Sequence, residues 1–191
     1  MGLLSGRLST FNKVNGYLAV VFGVALMVPF PSNSAQAADW QAHEMRRLHS
    51  SETVNLEALI DDRPVLMINT ASRCGYTGQF EGLEALHQRY GPEGLAVVGF
   101  SSNDFNQEID EEGAADVCFV NFGVTFDMLA PVHVKGQNAH PVFAELARQA
   151  EAPRWNFTKY LVSSEGNVVA HFPSNVRPES SAMRRAIEDL L

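Results

Sequence analysis

Cysteine is scarce in this sequence, since the 191 residues include only two, Cys74 and Cys118. They form no Cys-x-x-Cys pair, and the six histidines have no metal-ligand spacing to a cysteine or an acid. The pattern therefore predicts no metal site, and the histidines are expected to face solvent or to be hydrogen-bonded.

An excess of positive charge is also missing. Lys and Arg total 14 against 22 Asp and Glu, which gives a formal net charge of -8. A nucleic-acid partner is not expected, because the phosphate backbone binds basic surfaces. There is no internal repeat or low-complexity block, and 46% hydrophobic and 19% charged residues are typical of a soluble globular domain.

The first 37 residues contain no acidic residue. Arg7 and Lys13 precede a short apolar stretch from Gly16 to Phe30, and the small-residue triplet Ala35-Gln36-Ala37 follows. This order is typical of a secretory signal peptide and predicts cleavage near Ala37 and export to a bacterial periplasm. An uncleaved membrane anchor is the alternative, but the apolar stretch is short for a membrane span. Residues 38–191 are expected to form one domain without stable membrane insertion.

Apolar patterning along residues 38–191 predicts alternating strands and helices. The predicted strands are Val65–Ile68, Leu95–Phe100 and the hairpin Tyr160–Ser163 with Val168–Phe172, and the predicted helices are Gln79–Tyr90, Asp110–Phe122, Pro141–Ala150 and Pro178–Leu191. This order predicts an α/β fold in which a central sheet carries helices on both faces. Cys74 would then lie after the first of these strands, at the sheet edge where ligand sites of open α/β sheets cluster.

The position of Cys74 before a predicted helix suits a reactive thiol. The thiolate is the nucleophile, and the unpaired N–H groups at a helix N-terminus stabilise it. Gly75 allows backbone N–H groups to approach the sulfur, and Arg73 adds a positive charge nearby. A redox-active or peroxide-reducing cysteine and an inert buried thiol are both compatible with this placement.

Cys118 lies among apolar residues of the predicted Asp110–Phe122 helix. Two cysteines in an exported protein most often form a structural disulfide. The alternative is that Cys118 resolves an oxidised Cys74 by condensing with its sulfenic acid. The spacing of the two residues does not separate these readings.

Four stretches resemble the motifs of glutathione peroxidases, in the same order and at similar distances. They are Asn69–Thr77, Gly99–Phe105, Phe122–Phe126 and Trp155–Val162. The resemblance covers Thr53 to Leu191, and it implies a thioredoxin-like fold, a central mixed β-sheet flanked by helices, and peroxide reduction without a metal or organic cofactor.

Carried over by motif, the resemblance implies that Cys74 is the peroxidatic cysteine and that Gln107, Trp155 and Asn156 are its partners. Their amide and indole N–H groups would donate hydrogen bonds to the thiolate or the peroxide. Cys118 matches the resolving cysteine of thioredoxin-dependent members, which implies that a thioredoxin-like protein is the reductant. Glutathione is the alternative reductant.

The sequence departs from the family pattern around Gln107. Asp104 replaces the usual glutamine, the loop to Gln107 is one residue shorter, and Ser101-Ser102 replaces Pro-Cys. The segment Glu151–Arg154 is also short, which is typical of monomeric members of the family. Two rival functions remain: a one-cysteine peroxidase that uses glutathione directly, and a non-catalytic redox-sensing module on the same fold.

Overall fold

The computed structural model describes residues 40–108 and 110–191. The predicted signal peptide and its cleavage near Ala37 lie outside these residues. Within them, no helix is both long and apolar enough to cross a membrane.

The centre of the domain is a mixed sheet of five strands. They are β3 (Val65–Thr70), β4 (Ala96–Ser101), β5 (Asp127–Leu129), β6 (Lys159–Val162) and β7 (Val168–Phe172). Their order across the sheet is β5-β4-β3-β6-β7. β3, β4 and β5 run parallel, whereas β6 pairs antiparallel with both β3 and β7. A separate antiparallel pair, β1 (Glu44–Arg46) and β2 (Thr53–Asn55), precedes the sheet in the chain.

Five α-helices accompany the strands in the described residues. They are α1 (Leu56–Ile60), α2 (Gln79–Tyr90), α3 (Glu111–Ala115), α4 (Pro141–Gln149) and α5 (Ser181–Glu188), and a π-helical segment (Asp116–Asn121) continues α3. Side-chain caps fix the starts of four of them, because the side chains of Asn55, Asp110, His140 and Ser180 each accept a hydrogen bond from a backbone N–H of the first turn.

The central strands β3 and β4 are buried on both faces, as the apolar run Val65–Ile68 of β3 predicts. Leu66 and Ile68 pack on one face against α2, α3 and α5, whereas Val65 and Met67 pack on the other face against α1 and α4. This alternation follows from the two-residue period of a strand. The predicted α/β fold with helices on both faces of a central sheet is therefore confirmed.

The predicted elements are present with shifts of a few residues at their ends, and four features were not predicted. Three of them are the β1–β2 pair, the short helix α1, and β5, which has only three residues and begins with Asp127. The fourth is the second half of the predicted Asp110–Phe122 helix, which is π-helical.

Candidate active site

Cys74 lies between the end of β3 at Thr70 and the start of α2 at Gln79. Thr77 donates hydrogen bonds from its N–H (3.1 Å) and its hydroxyl (3.0 Å) to the Cys74 carbonyl, which closes a tight turn after the cysteine. The predicted location at the carboxyl end of a strand is therefore confirmed. The first N–H of α2, at Gln79, already donates to the Tyr76 carbonyl at 2.9 Å, so it is not free to approach the thiol.

Both cysteines are free thiols, and both are buried in the same hydrophobic cluster. Cys74 is 4% exposed and packs in this cluster with Ala71, Phe80 and Phe157, and Cys118 is 2% exposed. The two sulfurs are not joined in this structure.

Gln107 reaches the Cys74 loop although its own loop is one residue shorter than the family pattern. The Asn106 N–H donates to the Asn103 carbonyl at 2.9 Å, and Asn106 adopts a left-handed conformation with φ 55°. Asparagine tolerates this conformation better than most residues, so a tight turn replaces the missing residue. The Gln107 carbonyl then accepts a hydrogen bond from the Arg73 N–H at 2.8 Å, directly beside Cys74.

Asn156 is fully buried and contacts Gln107 through its side chain. Its Nδ2 donates to Gln107 Oε1 at 3.2 Å, whereas its Oδ1 is buried without a hydrogen-bond partner in the described part of the chain. Two of the residues predicted from the motifs are thus brought together, and the Arg73–Gln107 hydrogen bond ties them to the loop of Cys74.

Asn69, the first residue of the motif around Cys74, holds the segment of Trp155 and Asn156. Its Nδ2 donates to the Trp155 carbonyl (3.2 Å), its Oδ1 accepts from the Thr158 N–H (3.2 Å), and its carbonyl accepts from the Phe157 N–H (2.6 Å). Phe157 is fully buried with φ 62°, a strained conformation for a bulky residue that persists only when its surroundings enforce it. Asn69 supplies that enforcement.

Trp155 is the most exposed of the predicted site residues. Its side chain is 40% exposed, and its ring lies against Phe105 with centroids 5.3 Å apart. The Lys135 ammonium lies 4.0 Å from the centroid of the Phe105 ring, so an aromatic and cationic surface borders the site.

Asp104, which replaces the family's glutamine, anchors a neighbouring loop. Its carboxylate accepts hydrogen bonds from His133 Nδ1 (2.7 Å), the Val134 N–H (2.6 Å) and the Lys135 N–H (3.2 Å). Burial opposes ionisation of this carboxyl, but the hydrogen bonds outweigh it and lower the pKa of Asp104. The aspartate at this position therefore stabilises the loop of residues 133–135.

Cys118 occupies the π-helical segment, and its surroundings keep its thiol protonated at neutral pH. Burial and the negative charge of Glu108 raise the pKa of Cys118 to about 12. Its carbonyl accepts a hydrogen bond from the Val124 N–H at 3.0 Å, which fixes the end of the segment. The neighbouring Phe119 and Val120 are exposed, so Cys118 points inward from a helix whose other side faces solvent.

Glu108 is a residue that the motif analysis passed over. Its carboxylate accepts hydrogen bonds from Ser72, in the loop that leads to Cys74, and from Ser101, at the end of β4. The signal in the sequence was its place directly after Gln107, since a loop that delivers one site residue often delivers the next.

A cavity of about 400 Å³ opens beside the turn that follows Cys74. It is lined by Gly75, Tyr76, Gly78, Gln79, Glu81, Gly82, Asn175, Arg177 and Glu179. The charged side chains are of both signs, so a ligand or partner surface here would meet polar groups close to the cysteine.

Comparison with known proteins decides the family. A family model described as glutathione peroxidase matches residues 40–147. The chain belongs to the glutathione peroxidase family. It is 38% identical to a glutathione peroxidase of Lactococcus lactis subsp. cremoris, over 74% of this chain and 93% of the relative. It is 44% identical to a glutathione peroxidase-like peroxiredoxin of Schizosaccharomyces pombe, over 60% of this chain and 77% of the relative.

Solved structures agree with this assignment. The chain is similar to the protein in a crystal structure of Trgpx in apo form, with 27% sequence identity and a TM-score of 0.60. The match covers 78% of this chain and 95% of that chain. The thioredoxin-like fold implied by the motifs is therefore confirmed. As a member of the glutathione peroxidase family, the protein is an oxidoreductase of the peroxidase class.

Proposed function

We propose that the protein reduces hydrogen peroxide or organic hydroperoxides through Cys74. The Cys74 thiolate attacks one peroxide oxygen, the O–O bond breaks, and the departing oxygen takes a proton to leave as water or an alcohol. Cys74 is oxidised to a sulfenic acid in this step. The observation that carries the proposal is the Asn156–Gln107 hydrogen bond, tied to the Cys74 loop through the Arg73 N–H.

Gln107, Trp155 and Asn156 would act by hydrogen bonding in this step. Negative charge moves from the sulfur to the departing oxygen, and donors held in place stabilise it there without reorganising. The buried Oδ1 of Asn156 is unpaired in the described residues, so it can accept a hydrogen bond from an O–H of the peroxide. These roles fit a site in which Asn69 fixes the backbone of residues 155–158.

Cys118 is proposed as the resolving cysteine. Its sulfur attacks the Cys74 sulfenic acid, the S–O bond breaks, and the oxygen leaves as water, which gives an intramolecular disulfide. The reaction needs the Cys118 thiolate and Cα atoms within roughly 7 Å. Because burial keeps the Cys118 thiol protonated, we expect the helix that carries it to open locally first. The π-helical segment supports this step, because π-helical turns are rare and frequently mark functional sites.

A thioredoxin-like dithiol protein would reduce the disulfide and return both thiols. The name of the Schizosaccharomyces pombe relative, a glutathione peroxidase-like peroxiredoxin, favours a cysteine-based cycle of this kind. The signal-peptide pattern of residues 1–37 favours an exported, periplasmic protein, and the short Glu151–Arg154 segment favours a monomer.

The one-cysteine alternative is favoured by the burial of Cys118, which is 2% exposed and protonated at neutral pH. In that cycle glutathione reacts directly with the Cys74 sulfenic acid, and Cys118 takes no part.

Replacing Cys118 separates the two cycles. Turnover of peroxide by Cys118→Ser is measured with a thioredoxin-like protein and, separately, with glutathione. The proposed cycle predicts that turnover with the thioredoxin-like protein is lost, while the first oxidation of Cys74 proceeds at the wild-type rate. Full turnover of Cys118→Ser with glutathione would contradict the resolving role, and no peroxide consumption by the wild-type protein with either reductant would contradict the peroxidase proposal.

A further inference from the structure

One carboxylate joins the loop before Cys74 to the end of β4. Glu108 Oε1 accepts hydrogen bonds from the Ser72 N–H at 3.2 Å and from the Ser72 hydroxyl, and Oε2 accepts one from the Ser101 hydroxyl at 2.8 Å. Ser101 ends β4 and is 1% exposed, so it is a fixed point of the sheet. Ser72 is thereby held to the sheet two residues before the cysteine.

The backbone around Glu108 reinforces this connection. The Glu108 N–H donates to Asn103 Oδ1 at 3.1 Å, and the neighbouring Gln107 carbonyl accepts from the Arg73 N–H at 2.8 Å. The residues at 72–73 and 107–108 are therefore linked by side-chain and by backbone hydrogen bonds. A shift of Glu108 would move both the Cys74 loop and Gln107.

The same carboxylate lies near the second cysteine. After burial, its negative charge is the second cause that raises the pKa of Cys118. Glu108 thus interacts with the Cys74 loop and with β4, and its charge acts on the π-helical segment.

We propose that Glu108 is a positioning residue. Its carboxylate holds Ser72, and the carbonyl of the adjacent Gln107 holds Arg73, so that the loop keeps Cys74 in place for the reaction with peroxide. Hydrogen bonds to an ionised acceptor are roughly twice as strong as neutral ones, so the charge itself matters. The inference rests on the proposed function for the reaction, but the placement of the loop can be measured without it.

The main variant is Glu108→Gln, which keeps the size of the side chain and removes its charge and one acceptor oxygen. The matched control is Tyr90→Phe, which also removes a hydroxyl–carboxylate hydrogen bond, from Tyr90 to Glu188 at 2.7 Å. Tyr90 is the last residue of α2, whereas Cys74 precedes the start of that helix. Ser101→Ala removes only one of the Glu108 contacts and is the milder variant should Glu108→Gln fold poorly.

The first readout is amide hydrogen exchange of residues 71–78 in the reduced protein. We expect the Ser72 and Arg73 amides to exchange faster in Glu108→Gln, by about tenfold or more. The carboxylate that accepts from the Ser72 N–H is lost, and the Gln107 carbonyl that accepts from the Arg73 N–H is displaced. We expect no change there in Tyr90→Phe. Exchange at the wild-type rate in both Glu108→Gln and Ser101→Ala would overturn the proposal.

The second readout is the second-order rate of Cys74 oxidation by hydrogen peroxide, measured in a Cys118→Ser background. A displaced nucleophile should lower this rate by about 10- to 100-fold in Glu108→Gln, with no loss in Tyr90→Phe. Ser72→Ala should lower the oxidation rate less when it is added to Glu108→Gln than when it is made in a chain that keeps Glu108. The reason is that the two substitutions remove the same Ser72–Glu108 contact. An unchanged rate in Glu108→Gln would contradict the positioning role. If the wild-type chain itself failed to react, the proposed function would fall, and the exchange measurement alone would decide whether Glu108 holds the loop.

Discussion

Replacing Asn69 should affect the rate of Cys74 oxidation more strongly than the stability of the fold. Its side chain is fully buried and joins the end of β3 to the Trp155–Thr158 segment through two hydrogen bonds, both of 3.2 Å. Asn69→Ala removes both while leaving the Asn69 carbonyl, which accepts from the Phe157 N–H at 2.6 Å.

The expected loss of stability follows from what each partner retains. The Thr158 N–H is left buried without its acceptor, which costs about 1–3 kcal/mol. The Trp155 carbonyl keeps the Thr158 hydroxyl at 3.0 Å, so it loses only one of two hydrogen bonds, worth about 1 kcal/mol. The free energy of unfolding should therefore fall by about 2–4 kcal/mol, which leaves a typical domain folded.

The effect on the site should be larger than this loss suggests. Phe157 has φ 62°, and such strain amounts to about 1–3 kcal/mol that the surrounding contacts must hold in place. Without the Asn69 side chain the segment can relax, and Asn156 then moves away from Gln107. We expect the rate of Cys74 oxidation by hydrogen peroxide to fall about 10- to 100-fold.

Urea unfolding and stopped-flow oxidation of the same preparation measure the two effects. The matched control is Asn55→Ala, which removes the side-chain cap of α1 on the other face of the sheet, where Asn55 Oδ1 accepts from the Ala58 N–H at 3.1 Å. It should lower the free energy of unfolding by about 1 kcal/mol and leave the peroxide rate unchanged. A destabilised Asn69→Ala that still reacts with peroxide at the wild-type rate would refute the idea that Asn69 presents the site.

Two further predictions concern ionisable side chains. Lys159 is fully buried with its ammonium on the Val176 carbonyl (2.7 Å), and burial lowers its pKa from 10.5 to about 7. Between these two values the unfolded chain binds more protons than the folded one, so the free energy of unfolding should rise with pH, by at most about 5 kcal/mol. Urea titrations should show this rise removed in Lys159→Met and kept in Lys135→Met, which replaces an exposed lysine; an equal rise in all three proteins would contradict it. Asp104→Ala should lower the free energy of unfolding by about 2 kcal/mol, because it frees the N–H groups of residues 134 and 135. Because folding lowers the pKa of Asp104, the difference in unfolding free energy between wild type and Asp104→Ala should be present above the ordinary pKa of an aspartate and shrink as the pH falls below it. A difference that does not change with pH in acid would argue against the ion pair with His133.

The strands and helices that position Cys74 are predictable from the sequence because each has a strong local pattern. β3 begins with the apolar run Val65–Ile68, and α2 places Phe80, Leu83 and Leu86 at helical spacing toward the sheet. β5 has no such pattern, since its three residues gain their conformation from pairing with β4. The π-helical geometry around Cys118 likewise has no counterpart in the local sequence.

The candidate site divides in the same way. The motifs identify Cys74, Gln107, Trp155, Asn156 and Cys118, but their spacing alone does not show how a shortened loop still delivers Gln107. The left-handed Asn106 and its turn provide the answer, and they depend on backbone geometry. Asn69 and Glu108 act on partners distant in the sequence, so their roles emerge only when the chain is folded.

The central claim is that Cys74 and Cys118 work as a peroxide-reactive pair, and a thiol count tests it most directly. The reduced protein is titrated for free thiols before and after one equivalent of hydrogen peroxide, and its mass is recorded. We expect both thiols to be lost rapidly, with a mass that shows an intramolecular disulfide. Loss of a single thiol would replace the resolving role of Cys118 with the glutathione cycle, and no rapid loss would contradict the account as a whole.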